Sequence, residues 1–288
     1  MENLQKQKIT DKLAAYCERY ESRNRAANSL RNVSAATVTQ MLNGKWEQIR
    51  EEMWRNVAAQ IGYSSDVWNI AETRDFKLLT QILRYSQEKS KVSFIIGDAG
   101  SGKTETIQHF QAENKRVYVL KCNDFWNRKT FLGELLQSMG VDAGGYTMYE
   151  MMGVIVQHVK RQANPIIILD EADKLSDQLL YFFITLYNNL QDHCSIIMIA
   201  TDYLKIRMER GVTRKKKGYP EIYSRGGKKF IRLKGVGSSD VRKVCIANGV
   251  EDQAAIKEIY EDCDSDLRRV KEKIKAYKEF VEPAQTVN

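Results

Sequence analysis

The sequence predicts an α/β protein, in which a parallel sheet covered by helices on both faces lies between two regions that are helical alone. Two observations predict it. Four short apolar runs alternate with amphipathic helical stretches, an alternation typical of parallel sheets. The runs cover residues 92–96, 117–120, 166–169 and 195–200, and a fifth strand is expected over residues 230–233. Before and after this part of the chain, apolar residues recur only at helical spacing.

The first 62 residues predict a small helical unit that contains a helix-turn-helix. An opening amphipathic helix is expected over the first 20 residues, then a short helix over residues 25–30 and a turn. Ser34 is a good N-cap for the next helix, and Asn43 with Gly44 ends it. A further helix is expected over residues 46–61, where Gly62 follows.

The second helix of this helix-turn-helix predicts a surface that suits DNA. Val38 and Leu42 are expected to pack inward. Small and amide side chains early in such a helix suit base edges and phosphates. Those expected to face outward are Thr37, Thr39, Gln40 and Lys45. A helical bundle that contacts protein is the alternative, and the unit carries ten basic and seven acidic residues, which fits an accessory DNA site.

The rest of the chain divides by its hydrophobic pattern. Residues 63–90 predict a connector whose helix covers residues 72–87. Residues 91–236 form the predicted α/β core, and residues 237–288 predict three short helices. We find no internal repeat and no low-complexity segment that would suggest a different division.

Composition excludes several classes of protein. No apolar run approaches the roughly 18 residues that span a bilayer, so no membrane partner is expected. The N-terminus lacks the apolar segment of a secretory signal. The five cysteines are scattered without a C-x-x-C pair and the three histidines are isolated, which predicts a reduced cytoplasmic setting and no zinc site.

Positive charge is concentrated in one segment. The chain has a net charge of +8, whereas residues 205–234 alone hold 12 basic and two acidic residues. The remainder of the chain is therefore slightly acidic. A solvated basic loop is one interpretation, but a patch of this density more often binds a polyanion, and nucleic acid is the expected partner.

Residues 97–104 match the phosphate-binding motif G-x-x-x-x-G-K-[ST], between a predicted strand and a predicted helix. Glycines allow successive backbone N–H groups to turn toward phosphate oxygens, and the helix N-terminus attracts negative charge. Lys103 is expected on the β- and γ-phosphates and Thr104 on Mg²⁺. The predicted nucleotide-binding residues are Gly97, Asp98, Ala99, Gly100, Ser101, Gly102, Lys103, Thr104 and Glu105. The motif predicts ATP and Mg²⁺ as cofactors.

Two carboxylates follow the apolar strand over residues 166–169, at the edge of the sheet where ligands bind in such folds. Asp170 is expected to hold Mg²⁺ and Glu171 to activate the attacking water as general base. An acidic pair after a strand is weak evidence alone, but downstream of a phosphate-binding loop it predicts nucleotide hydrolysis. A two-lobed helicase is not expected, because only about 115 residues follow, too few for a second lobe.

On these motifs the sequence resembles AAA+ ATPases, and among them the MuB family of phage Mu-type transposition, to which TnsC and IstB are related in role. The segments 102–107, 168–175, 222–229 and 265–269 carry the resemblance. It implies a P-loop AAA+ domain with a small all-α lid, preceded by an all-α helix-turn-helix domain. It also implies a protein encoded by bacteria or phage and associated with the nucleoid.

The resemblance implies roles for three further residues. Arg225 falls at the arginine finger, Arg268 at the sensor-2 position of the lid, and Thr201 at sensor 1, where MuB has asparagine. Each has a simpler alternative, since both arginines lie in basic stretches and Thr201 could be a cap at the end of a strand. A finger of this kind acts on the neighbouring subunit, which implies a head-to-tail assembly that closes into a ring or continues as a helical filament.

The function expected from these observations is ATP-dependent, largely sequence-nonspecific binding of double-stranded DNA, which the protein presents to a transposase. A helicase loader or plasmid or phage replication initiator is the alternative, and a transcription regulator that never hydrolyses its nucleotide is a third. Candidate DNA contacts in the ATPase domain lie in two predicted loops. They are Arg128 and Lys129, just after the second strand and at the start of a helix, and Lys215, Lys216 and Lys217 in the basic segment.

Overall fold

A computed structural model describes residues 1–64 and 68–285, with side chains as far as residue 280. Its centre is a parallel sheet of five strands in the order β2-β3-β4-β1-β5. The strands are β1 (Val92–Ile96), β2 (Val117–Lys121), β3 (Ile166–Asp170), β4 (Ser195–Ala200) and β5 (Ile231–Arg232). Every neighbouring pair is parallel, so the carboxyl ends of all five strands lie at one edge of the sheet. The predicted parallel sheet is confirmed.

Helices cover both faces of the sheet. Alternate residues of each strand point to opposite sides, so the strands present apolar side chains on both faces. Ile168 and Ile197 belong to an apolar cluster that includes helices α5 (Arg74–Lys89) and α6 (Lys103–Glu113). Ile167 and Ile196 belong to a second cluster on the other face. The helices of that second face are α7 (Arg128–Ser138), α8 (Met148–Lys160), α9 (Asp177–Leu190), α10 (Asp202–Thr213) and α11 (Tyr219–Arg225).

Four N-terminal helices pack around an apolar core of their own, which includes Leu13, Val38 and Trp54. They are α1 (Asn3–Cys17), α2 (Arg23–Asn28), α3 (Ala35–Leu42) and α4 (Glu51–Gln60). Ser34 caps α3 as predicted, since its hydroxyl accepts a hydrogen bond from the Thr37 N–H at 3.0 Å.

Two details of the N-terminal prediction are wrong. The helix expected over residues 46–61 begins only at Glu51, because residues 46–50 form a turn in which the Trp46 indole N–H donates to the Met41 carbonyl at 2.9 Å. The short helix expected over residues 25–30 spans Arg23–Asn28 instead, whereas Leu42 packs against the helical core as predicted.

Three C-terminal helices pack against one another and against the chain that enters α5. They are α12 (Ser238–Ala247), α13 (Gln253–Asp262) and α14 (Leu267–Gln285), and the last is longer than the short helix expected. Buried Asp240 at the start of α12 accepts hydrogen bonds from the Arg74 backbone N–H and guanidinium, both at 2.9 Å. Buried Asp75 accepts from the backbone of Lys234 and Gly235. Asp240 therefore joins the C-terminal helices to α5, and Asp75 joins α5 to the chain that leads into them.

The remaining boundaries differ slightly from those expected. The connector helix, predicted over residues 72–87, is α5, and it begins after Thr73, whose hydroxyl accepts from the Phe76 N–H at 3.1 Å. β5 is shorter than the predicted residues 230–233, although the Leu233 N–H still donates to Ile96. Residues 65–67 of the predicted connector and residues 286–288 of the predicted C-terminal region lie outside the described residues. In residues 1–64 and 68–285, none of the helices has the length and apolar character needed to cross a membrane.

Candidate functional site

The phosphate-binding motif forms the loop between β1 and the first residue of α6. Gly102 precedes that helix with φ of 85°, a conformation that favours glycine. The Lys103 ammonium donates to the carbonyls of Gly97 at 2.8 Å and Asp98 at 2.6 Å, so its side chain lies across the loop. Burial lowers the pKa of Lys103, although the charges of Asp170 and Asp98 partly oppose this.

Thr104 and Asp170, which the sequence assigns to Mg²⁺, lie in contact. The Thr104 hydroxyl donates to Oδ2 of Asp170 at 2.8 Å. Asp170 is 2% exposed at the carboxyl end of β3, and burial raises its pKa. A hydroxyl and a carboxylate are the hard oxygen ligands that Mg²⁺ prefers, and it usually takes one or two carboxylates besides water and phosphate. The two side chains therefore fit the ion.

Glu171 follows the strand in a left-handed conformation, with φ of 54° and ψ of 40°. Such a backbone is uncommon for a residue other than glycine and is often found at functional sites. Its carboxylate lies 2.5 Å from the Lys174 ammonium and 3.6 Å from that of Lys121. Burial alone would raise the pKa of Glu171, but the hydrogen bond from Lys174 and the charges of both lysines outweigh burial and lower the pKa.

These side chains line one end of a cavity of about 480 Å³. The part of the motif from Ala99 to Glu105 lines it, as do Asp170, Glu171, Thr201 and Arg268. Gly97 and Asp98 are not among the lining residues, and they contribute the carbonyls that hold Lys103. Of the residues predicted to contact nucleotide, the structure therefore brings all but these two to the cavity wall.

The other end of the cavity is apolar, and the sequence did not predict it. Trp68, Ile70 and Ala71, from the chain entering α5, face Val244 and Leu267 of the C-terminal helices. The Lys271 ammonium lies 5.0 Å from the centre of the Trp68 ring. Residues 68–71 carry no motif, so only their place in the fold identifies them.

Thr201 and Arg268 reach the cavity from different elements. The Thr201 hydroxyl, at the end of β4, donates to Oδ2 of Asp173 at 3.0 Å. Arg268 is exposed near the start of α14, where the neighbouring Leu267 N–H donates to the Gly100 carbonyl at 2.9 Å. A side chain at Gly100 would bring its Cβ within 2.0 Å of an Asp266 carboxylate oxygen. The C-terminal helices thus pack directly on the phosphate loop and place Arg268 beside it.

Comparisons with known proteins agree with this geometry. Residues 84–208 match the family described as AAA domain. The chain is 23% identical over 192 residues to the "Mu-like prophage FluMu DNA transposition protein B" of Haemophilus influenzae, a match that spans 65% of this chain and 64% of that relative. These two similarities support a MuB-like AAA+ ATPase.

Solved structures with a similar fold include a "Replication initiator DnaA bound to AMPPCP and single-stranded DNA". It has a TM-score of 0.50 and 16% identity, and the match covers 77% of this chain and 66% of that one. A Drosophila ORC bound to DNA has a TM-score of 0.45 and 13% identity, covering 76% and 57%. At these identities the likeness concerns the fold alone.

Arg225 does not lie with the other predicted site residues. It ends α11, away from the lining of its own cavity. Its guanidinium lies 4.8 Å from the centre of the Tyr187 ring and donates to Glu221 at 3.1 Å. Its Nε is buried without a hydrogen-bond partner among the described residues. The side chain is therefore held in place, but at a distance from the nucleotide site of its own subunit.

The candidate DNA residues of the ATPase core lie in two places. Arg128 and Lys129, expected in a loop after the second strand and at the start of a helix, form the first turn of α7. The Asn127 side chain caps that helix by accepting from the Thr130 N–H at 3.0 Å. Lys129 is exposed, and Arg128 is half-buried with its guanidinium 5.9 Å from the Phe182 ring centre.

The second place is the basic loop, residues 214–217, which joins α10 to α11 and is exposed. A loop is what the sequence predicts here. Two of its three lysines have partners within the chain. Lys216 forms an ion pair with Asp177, and the Lys217 ammonium lies 5.2 Å from the centre of the Tyr181 ring.

The candidate DNA residues of α3 are only partly exposed. Lys45 is exposed, whereas Thr37, Thr39 and Gln40 are half-buried rather than outward-facing. The Thr37 and Ser34 hydroxyls lie 2.9 Å apart, and the Thr39 hydroxyl donates to the Ala35 carbonyl at 2.8 Å. Both threonines thus satisfy the backbone and the cap of their own helix.

Proposed function

We propose that the chain is an ATP-dependent, largely sequence-nonspecific DNA-binding ATPase that presents target DNA to a transposase. The observation that carries the proposal is the contact between Thr104 and Asp170 at 2.8 Å, with Lys103 and Glu171 on the wall of the same cavity. A metal-binding pair, a phosphate-binding lysine and a candidate base converge on one volume, as hydrolysis of a nucleoside triphosphate requires.

Each residue has a proposed task in hydrolysis. Lys103 binds the β- and γ-phosphates, and Thr104 with Asp170 holds Mg²⁺. Glu171 orients and deprotonates the attacking water. Thr201 and Arg268 sense the γ-phosphate from opposite sides. When bound, Mg²⁺ neutralises charge that develops on the phosphate oxygens.

The apolar end of the cavity suits a purine base. The Trp68 ring and the side chains of Val244 and Leu267 offer apolar contact to a planar heterocycle. Because this end joins the chain before α5 to the C-terminal helices, a bound base would bridge the two. This bridging supports the proposal that residues 237–288 form a lid over the α/β core of residues 91–236.

Arg225 is proposed as a finger that completes the site of the neighbouring subunit. A planar guanidinium suits the charge of a transferring phosphoryl group. The separation of Arg225 from its own cavity supports a role in trans, which requires a head-to-tail assembly. Such an interface yields either a ring or a helical filament.

DNA is proposed to bind along the ATPase assembly, with the helical unit of residues 1–62 as an accessory helix-turn-helix domain joined by the connector of residues 63–90. The exposed basic loop and Lys129 supply charge for phosphates. Thr37, Gln40 and Lys45 are the accessory contacts. The half-buried state of the first two supports the lesser role.

Presentation of DNA to a transposase is supported by the name of the Haemophilus influenzae relative, a DNA transposition protein B. The match covers 64% of that relative. A helicase loader or replication initiator is the second candidate, since the structure of a replication initiator, DnaA, has a similar fold. Both functions need ATP-dependent assembly on DNA and differ in the protein that is recruited.

Electron microscopy of the protein with duplex DNA and a slowly hydrolysed ATP analogue tests the proposal. We expect ordered oligomers along the DNA with the analogue and bare DNA without nucleotide. A Lys103→Ala variant is the matched control and should leave the DNA bare in both conditions. Oligomers that form equally well without nucleotide would contradict ATP-dependent assembly.

A further inference from the structure

The exposed basic loop lies beside two tyrosine rings. In the last turn of α10, just before the loop, a Cβ on Gly211 would lie 2.2 Å from the Tyr219 ring, so only glycine allows this close approach. At the end of the loop, Lys217 lies over the Tyr181 ring at 5.2 Å. Because both ends are held, the fold determines where each lysine of the loop is placed.

The carboxylate of Asp177, in the first turn of α9, accepts hydrogen bonds from three polar side chains around this loop. Its Oδ1 accepts from the Tyr219 hydroxyl at 2.6 Å and from the Arg207 Nε at 3.2 Å. Its Oδ2 pairs with the ammonium of Lys216. These three donors together hold the pKa of Asp177 far below its ordinary value, against the opposing effect of burial.

We propose that Asp177 is an affinity-determining residue of the DNA site. In the free protein its carboxylate pairs with the Lys216 ammonium, and a DNA phosphate replaces the carboxylate when DNA binds. The inference rests on the DNA-binding function proposed above. The side chains of Lys216 and Asp177 are 54% and 44% exposed. Exposed pairs of this kind contribute little to stability, so a phosphate can compete for the lysine.

The remaining basic residues of the loop are not engaged in this way. Lys215 is exposed and forms no ion pair among the described residues. Lys217 contacts only the face of an aromatic ring among those residues, which leaves its charge uncompensated. Lys215, which forms no ion pair among the described residues, therefore lies next to Lys216, which is paired with Asp177. Lys215 is a matched control for Lys216.

Hydrogen bonds of Arg207 connect Asp177 to the nucleotide cavity. Arg207, besides contacting Asp177, donates to the Leu175 carbonyl at 2.7 Å and the Asp173 carbonyl at 3.3 Å. Asp173 accepts from Thr201, and both residues line the cavity. A single arginine thus joins the segment after Glu171 to the carboxylate that holds Lys216, which gives nucleotide a physical route to the loop.

The test is duplex binding by fluorescence anisotropy over a series of salt concentrations, with the 288-residue chain and a slowly hydrolysed ATP analogue. Asp177→Asn keeps an oxygen that accepts from Tyr219 and Arg207, but it removes the charge that holds Lys216. We expect it to bind about three- to fivefold more tightly than the parent. Its plot of log K against log salt should keep the slope of the parent, because Lys216 contacts a phosphate in both complexes.

Lysine substitutions give an independent test in case Asp177→Asn is unstable. In the parent, Lys215→Ala should weaken binding more than Lys216→Ala. In the Asp177→Asn background the two losses should become similar, because Lys216 is then free. Equal losses in the parent, or an affinity of Asp177→Asn no higher than that of the parent, would overturn the inference while DNA binding stands. A parent that binds no DNA at any salt concentration, with or without ATP, would overturn the DNA-binding function and this inference together.

Discussion

The ammonium of Lys121 lies 3.6 Å from Oε1 of Glu171, so the last residue of β2 contacts the first residue after the neighbouring strand β3. Lys174 contacts the other carboxylate oxygen. Two cations therefore flank the proposed general base. Together they lower its pKa despite its partial burial.

Replacing Lys174 with alanine should shift the pH dependence of hydrolysis. Glu171 acts as a base only when ionised, and its lowered pKa keeps it ionised to lower pH. Loss of the Lys174 hydrogen bond and charge raises that pKa, so the acidic limb of the kcat profile should move to higher pH. The measurement is kcat at saturating ATP over a range of pH.

Lys174→Arg is the control, since it retains a positive charge three residues from Glu171. Its acidic limb should lie close to that of the parent. If Lys174→Ala and the parent share the same limb, either Glu171 is not the base or the lysine leaves it before hydrolysis.

Substitutions at the two motifs should separate nucleotide binding from turnover. Lys103→Ala should abolish binding of a fluorescent ATP analogue, because the ammonium that meets the phosphates is lost. Glu171→Gln should still bind the analogue but lower kcat by about 100-fold or more, the range expected for loss of a general base. It should also retain DNA longer in the presence of ATP. Turnover by Glu171→Gln at the parent rate would contradict its assignment.

Arg225→Ala should lose hydrolysis, by about 1000-fold, while each subunit still binds ATP. Because the finger is proposed to act in trans, mixing this variant with Lys103→Ala should restore part of the activity. The first variant supplies an intact nucleotide site and the second an intact finger. The measurement is ATPase rate against mixing ratio, and the absence of rescue at every ratio would show that Arg225 does not act across an interface.

The sequence predicted the phosphate loop, its strand and the acidic pair, because each is a local pattern with a defined chemical purpose. The contact between Lys121 and Glu171 could not be predicted in the same way. It depends on β2 lying beside β3, and strand order follows from packing of the whole sheet rather than from any one segment. Trp68 was missed for a related reason, since its neighbours in the cavity lie about 180 residues away.

Helix boundaries failed where side chains competed with the backbone. Trp46 fits a helical pattern, yet its indole bonds to Met41 and keeps the chain in a turn. By contrast, residues 127–129 lie at the start of a helix as expected, because the Asn127 side chain caps α7 and Arg128 and Lys129 form its first turn. A side-chain hydrogen bond such as that of Trp46 depends on tertiary contacts, which the periodicity of the sequence does not reveal.

Reversing charge at the start of α7 should weaken DNA binding. The double variant Arg128→Glu and Lys129→Glu should bind DNA more weakly with ATP, and each lost phosphate contact should reduce the salt slope by about 0.9. Most of the loss should come from Lys129, because Arg128 is half-buried against Phe182. Reversal of Lys215, Lys216 and Lys217 should weaken binding too. The measurement is anisotropy at several salt concentrations.

Deleting residues 1–62 distinguishes the accessory role from the main one. ATP-dependent binding should become weaker but remain detectable, since the proposed main contacts lie in the ATPase core. If the deletion alone removes all binding while the charge reversals have no effect, the N-terminal unit is the DNA site.

The central claim is that ATP controls how tightly the protein binds DNA. The most direct test is the affinity of the parent for one duplex with ATP, with ADP and without nucleotide. Fluorescence anisotropy at a fixed salt concentration measures it, with Lys103→Ala as the control. We predict tight binding only with ATP, and weak binding by Lys103→Ala in all three conditions. Equal affinity of the parent in all three conditions would contradict the claim.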